Sequence, residues 1–121
     1  MEFIIKWKDI EPVVIMKHLE PSQFDKSVSL KQKTLVMFYA DWCPFCKRFQ
    51  PVFESAKSKY KKIQLKLNED ENPMWDRFAI SAVPTVIAFD GNKIVARKDA
   101  RMGIGLDKSD IDLLLKELKW N

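Results

Sequence analysis

Two residues of this chain are best equipped for covalent chemistry, Cys43 and Cys46, and they are its only cysteines. Two residues separate them in Trp42-Cys43-Pro44-Phe45-Cys46-Lys47. That spacing is one helical turn, close enough for two sulfurs to open and close a disulfide. Pro44 suits the first position of a helix, where its missing N–H would have no partner anyway. Cys43 then sits at a helix N-terminus, where free N–H groups and the dipole favour an anion. A thiolate is such an anion, and it is the attacking form of a thiol. Reversible thiol–disulfide exchange is the chemistry this arrangement suggests. Zinc is a weaker reading, because a structural site takes four ligands and the chain adds only His18 to its cysteines. An inert structural bridge is a weaker reading too, since closing so short a loop stabilises little through chain entropy.

Elements must hold those sulfurs in place, and the flanking sequence supplies them. Thr34-Leu35-Val36-Met37-Phe38-Tyr39-Ala40 is an apolar run of strand length. Residues 47–61 carry Phe49, Val52, Phe53, Ala56 and Tyr60 at helical spacing, with Pro51 expected to kink that helix. The motif therefore marks a strand-to-helix handover. Strands are also expected at residues 13–16, 63–67, 83–89 and 93–97, with a turn at Asp90-Gly91-Asn92. Phe24 and Val28 mark a short helix after a turn at residues 20–25, and Pro73 opens another through Phe78 and Ala79. Gly103 and Gly105 precede a last helix striped by Ile111, Leu114, Leu115 and Leu118, with Asp107 as N-cap and Asp110 three residues on. Strands and helices alternate first and a hairpin follows. That order implies an α/β fold, with a mixed central sheet of four to five strands flanked by helices on both faces.

The 121 residues suit one domain, with 46% hydrophobic and 31% charged residues. A strand-like extension is expected at residues 1–12, where Phe3, Ile5 and Trp7 alternate with more polar neighbours, and the domain proper at 13–121. Covering a sheet edge is the preferred role for the extension. The net charge of +4, from 21 basic and 17 acidic residues, is no nucleic-acid signature. Lys57, Lys59, Lys61 and Lys62 read as a solvated cluster at the end of the long helix. His18 reads as a surface or capping residue, and Trp7, Trp75 and Trp120 as packing residues. The N-terminal residues lack the basic and apolar regions of a signal peptide, and no stretch approaches a membrane span. Cytoplasmic residence is the expectation, and in a reducing compartment neighbouring cysteines are more often catalytic than structural.

Several segments together carry a resemblance. Phe38-Tyr39-Ala40-Asp41-Trp42-Cys43, Cys46-Lys47, Pro51, Lys66-Leu67-Asn68, Phe78-Ala79-Ile80-Ser81-Ala82-Val83-Pro84-Thr85 and Gly91 resemble the thioredoxin family, over residues 13–118. The resemblance implies the thioredoxin fold and a cis bond between Val83 and Pro84. It also implies an apolar surface of Trp42, Pro44, Phe45, Pro84 and Gly103, with the Val83 backbone free for β-type pairing with substrate. Cys43 would attack a protein disulfide, and Cys46 would resolve the mixed disulfide. A flavin-dependent thioredoxin reductase would restore the dithiol. No cofactor or metal is expected in the chain itself, no nucleic acid or membrane partner, and a monomer is expected.

This chain departs from the family in two places. Met37 stands where the family carries a buried acid that serves the resolving cysteine. Lys66, the usual partner of that acid, is left either paired elsewhere or turned to solvent, and Asp41 adds a charge that opposes a Cys43 thiolate. Pro44-Phe45 replaces the common Gly-Pro, which points to a less reducing couple. The competing functions are a glutathione-dependent glutaredoxin, a disulfide isomerase or oxidase, and a binding module with incidental cysteines. Trp42 and the Val-Pro-Thr order argue against the first, and fold by itself decides among none of them.

Overall fold

A parallel pair of strands needs a crossover, and the helix after Cys43 is the one this chain uses. In the computed structural model, residues 16–19, 33–68, 72–91 and 93–121 are described. They form β1 (Met16–Leu19), β2 (Lys33–Tyr39), α1 (Pro44–Ser55), β3 (Lys61–Lys66), α2 (Pro73–Arg77), β4 (Thr85–Asp90), β5 (Lys93–Asp99) and α3 (Lys108–Leu118). The expected strand-like extension, the turn at residues 20–25 and the helix around Phe24 and Val28 lie outside the described residues.

The five strands lie in the order β1-β3-β2-β4-β5. β3 runs parallel to β1 and β2, and β4 runs antiparallel to β2 and β5, so the sheet is mixed. A strand covered on both faces must be apolar on both. β2 meets that demand, with Leu35, Val36, Met37 and Phe38 all fully buried. Register assigns the faces. Leu35, Met37 and Tyr39 sit beside Lys62, Gln64 and Lys66 of β3. Lys62 and Gln64 both bond to α1, which identifies this face as the one α1 covers. On the opposite face, Phe38 of β2 and Phe89 of β4 meet Phe78, just past α2, at centroid distances of 5.6 and 5.5 Å.

α3 packs beside α1 and buries Ile111, Leu114 and Leu115. Its start is the capping box expected from the sequence: the Asp107 side chain accepts from the Asp110 N–H, and Asp110 accepts from the Asp107 N–H. Trp120 is buried, edge-on to Tyr60 at 5.1 Å.

Three expectations need correction. α1 ends at Ser55 rather than running to residue 61, although Pro51 is accommodated inside it. Lys62 is not solvated. It lies in β3, only 3% exposed, and its ammonium donates to the Phe53, Glu54 and Ala56 carbonyls at 3.0, 2.7 and 2.6 Å. Those acceptors cluster at the C-terminal end of α1, where carbonyls lack helical partners. β1 also extends beyond its expected end to Leu19, with His18 inside it in register with Gln64.

Candidate active site at the start of the first helix

β2 delivers the chain to the top of the sheet, and a turn at Asp41 and Trp42 redirects it into α1. Cys43 is the N-cap of that helix, with extended backbone angles, and Pro44 takes the first helical position. N-cap side chains accept from N–H groups of the first turn. Here the Cys43 sulfur does so, receiving the Cys46 N–H at 3.2 Å. The Cys43 backbone is held at both ends: its N–H donates to Ala40 O, and its carbonyl accepts from Lys47 N.

Both cysteines are free thiols, 4% and 2% exposed. Cys43 Sγ lies 3.4 Å from the Val83 carbonyl and donates to it as a thiol. The Val83–Pro84 bond is cis, as the resemblance implied. Cys46 is in a different setting. Burial pushes its pKa well above the usual thiol range and the hydrogen bond with Cys43 adds to the rise, while a backbone bond involving Ala40 opposes it. One sulfur therefore faces an N–H donor at a helix start, and the other is kept protonated.

A polar bracket fixes the turn beside them. Asn68 Oδ1 accepts from the Asp41 N–H at 2.9 Å, and Asn68 Nδ2 donates to Asp41 Oδ2 at 3.0 Å. The Asn68 carbonyl accepts from Trp42 Nε1 at 3.3 Å. Lys66 Nζ lies 3.3 Å from Asp41 Oδ2, so Lys66 is paired with Asp41 and the charge beside Cys43 is compensated. Asn68, then Lys66, hold the Asp41 carboxyl below its ordinary range. Trp42 has its indole N–H tied down while the residue stays 58% exposed. Met37 is fully buried on the α1 side, in register with Gln64 and Val86.

Pro44 is exposed, and Pro84 is buried beside Val83. Phe45 is half-buried, with the Arg48 guanidinium 5.1 Å from its ring centre. The glycine that meets Phe45 is Gly105: a Cβ there would stand 3.0 Å from the Phe45 side chain. Gly103, expected in this surface, has open space around it at the tip of the same turn. Both glycines have positive φ, so the sequence offered no way to tell them apart. Asn68 was also missed as a site residue, because it reads as loop until the fold sets it against Asp41. Among the described residues, no three His, Cys, Asp or Glu side chains gather as a metal site.

Comparison with known proteins agrees with this geometry. The thioredoxin family model matches residues 15–111. The chain is 35% identical over 104 residues to a thioredoxin of Mycoplasmoides gallisepticum, covering 84% of this chain and 100% of that relative. It resembles the solved short form of thioredoxin f from spinach chloroplast, with a TM-score of 0.73 at 16% identity, covering 90% of this chain and 97% of that one. Another solved neighbour comes from a complex of ferredoxin:thioredoxin reductase and thioredoxin f2, with a TM-score of 0.71 at 20% identity, over 90% and 99% of the two chains. At such identities the structural matches speak for the fold.

Proposed function

The chain belongs to the thioredoxin family, and on that premise we propose how its two cysteines divide the work. It is a thiol–disulfide oxidoreductase of the protein-disulfide reductase type. Cys43, as thiolate, attacks one sulfur of a substrate disulfide. The substrate S–S bond breaks, a Cys43–substrate disulfide forms, and the departing thiolate takes up a proton. Cys46 then loses its proton and attacks the Cys43 sulfur, which releases the second substrate thiol and leaves a Cys43–Cys46 disulfide. Two electrons and two protons have passed to the substrate.

The observation that carries this assignment is the asymmetry of the two sulfurs. Both are buried, but Cys43 has the Cys46 N–H aimed at its sulfur, while burial and the bond with Cys43 push the Cys46 pKa up and hold it as a thiol. Trp42, Pro44, Phe45, Val83 and Pro84, with the turn that carries Gly103, form the substrate-facing surface. Asp41 and Lys66 modulate it through their ion pair. The electron donor in this reading is a thioredoxin reductase; that a reductase is the partner is supported by the solved thioredoxin f2, which stands in complex with ferredoxin:thioredoxin reductase. In this reading the chain is a monomer with one domain over residues 13–121, in a reducing cytoplasm, where neighbouring cysteines are more often catalytic than structural. Among the described residues no helix is long and apolar enough to cross a membrane.

Trapping tests the division of labour. Cys46→Ser, mixed with a disulfide-bonded protein and examined by non-reducing gel and mass spectrometry, accumulates a mixed disulfide on Cys43. Cys43→Ser accumulates none. Equal adducts on both variants would reverse or erase the assignment.

A further inference from the structure

We infer that the cleft between α1 and α3 is a second site, which binds a small amphipathic anion: an apolar chain ending in a carboxylate. Packed helices leave few voids larger than a water molecule. Between these two lies a cavity of about 660 Å³, within the size range of small-molecule pockets. Helical spacing builds its walls. Val52 and Ala56 stand one turn apart at the end of α1, Ile111 and Leu115 one turn apart on α3, and all four line the cavity. The cavity shares no residue with the site around the cysteines. Cys43 caps the start of α1, and the lining begins only at Pro51, in the second half of that helix.

Charge sets the polarity of the occupant. Lys57, Lys108 and Lys116 also line the cavity, with Asp112 as its one acid. Asp112 is paired with Lys108, one turn before it. The ammonium groups of Lys57 and Lys116 have no partner among the described residues. Lysines near helix ends commonly serve the free carbonyls there. At both ends that role is already filled. Lys62 takes the Phe53, Glu54 and Ala56 carbonyls at the end of α1. At the end of α3, the Lys119 N–H donates to the Lys116 carbonyl at 3.1 Å and the Trp120 N–H to the Leu115 carbonyl at 2.9 Å. Two cations are thus left beside an apolar cavity. An uncharged guest would leave them unused, a cation would be repelled, and inorganic phosphate would leave the apolar walls uncovered. One carboxylate on an apolar chain uses both.

Decanoate is the probe, titrated into the full chain and followed by two-dimensional amide NMR. The shifts are expected to saturate and to centre on Val52, Ala56, Ile111 and Leu115. Decanol, with the same chain length and no charge, binds about fivefold more weakly, the worth of two partly exposed ion pairs. Decyltrimethylammonium binds more weakly again. Lys57→Gln with Lys116→Gln brings decanoate to the level of decanol. Val52→Phe, which fills the space, weakens both by about tenfold or more. Amide spectra that otherwise overlay those of the unaltered chain show that each variant folds, and the lysine pair carries the test if Val52→Phe does not. Shifts that never saturate or that scatter over the surface would overturn the inference. So would equal affinity for the three probes, or a lysine double variant that binds decanoate as well as the unaltered chain. None of these outcomes touches the reductase reading, which is measured at the cysteines.

Discussion

Burial and the neighbouring sulfur hold the proton on Cys46, so its thiolate is scarce near neutrality. The sign follows from that direction. Below a raised pKa the thiolate fraction grows about tenfold per pH unit, so resolution of the mixed disulfide speeds up continuously as pH rises. Met37 occupies the α1 side of β2, fully buried, with no group able to accept a proton. Placing a carboxylate there supplies an internal base, the kind of group that contributes rate by proton transfer. Met37→Asp is therefore expected to raise the rate of resolution at pH 7 by about tenfold or more and to flatten its pH dependence. Stopped-flow release of thiol from a preformed Cys43 mixed disulfide measures it. A rate unchanged across pH would show that proton removal from Cys46 does not limit the step. At this scale the sequence was legible wherever a residue's chemistry is intrinsic: two thiols in a redox spacing, and a methionine unable to act as a base. It pointed to Asp41 and Lys66 without showing that they pair, and it gave no site role to Asn68, whose bonds to the turn after β2 form only in the fold.

The first helix is fastened at both ends, by the Cys43 sulfur at its start and by the Lys62 ammonium at its finish. Burial lowers the Lys62 pKa, with Glu54 pulling it back in part. The three carbonyls it reaches match the three donors of an ammonium group. Lys62→Ala removes those bonds and leaves space beneath the helix, at an expected cost of about 2–4 kcal/mol. Urea denaturation reads this as a lower midpoint with an unchanged slope. A midpoint within error of wild type would mean that the helix end is satisfied without Lys62. The sequence hid this role for a physical reason. Its helical spacing continues to Tyr60, and a lysine among lysines resembles a solvated face. Only the placement of β3 between β1 and β2 buries Lys62 and Gln64 under α1. The capping box of α3 was legible because it is local, with donor and acceptor three residues apart.

Across the whole molecule, alternating strands and helices followed by a hairpin were enough to anticipate a mixed sheet covered on both faces, because pairing rules act on element order. Element order does not reveal which glycine touches the motif, since Gly105 meets Phe45 only once α3 and its leading turn have docked. The redox couple belongs to this scale as well, since it depends on how the fold treats both sulfurs. Pro44-Phe45 between the cysteines is expected to make it less reducing than in relatives with Gly-Pro, and equilibration against glutathione measures it. A potential equal to theirs would assign the intervening pair no influence. The central claim is that this chain passes electrons to protein disulfides through Cys43. Insulin reduction with dithiothreitol as donor tests it most directly, comparing wild type with Cys43→Ser. Rapid turnover by wild type that the variant lacks is the predicted result. Equal turnover by the variant, or an inert wild type with both thiols free, would contradict it.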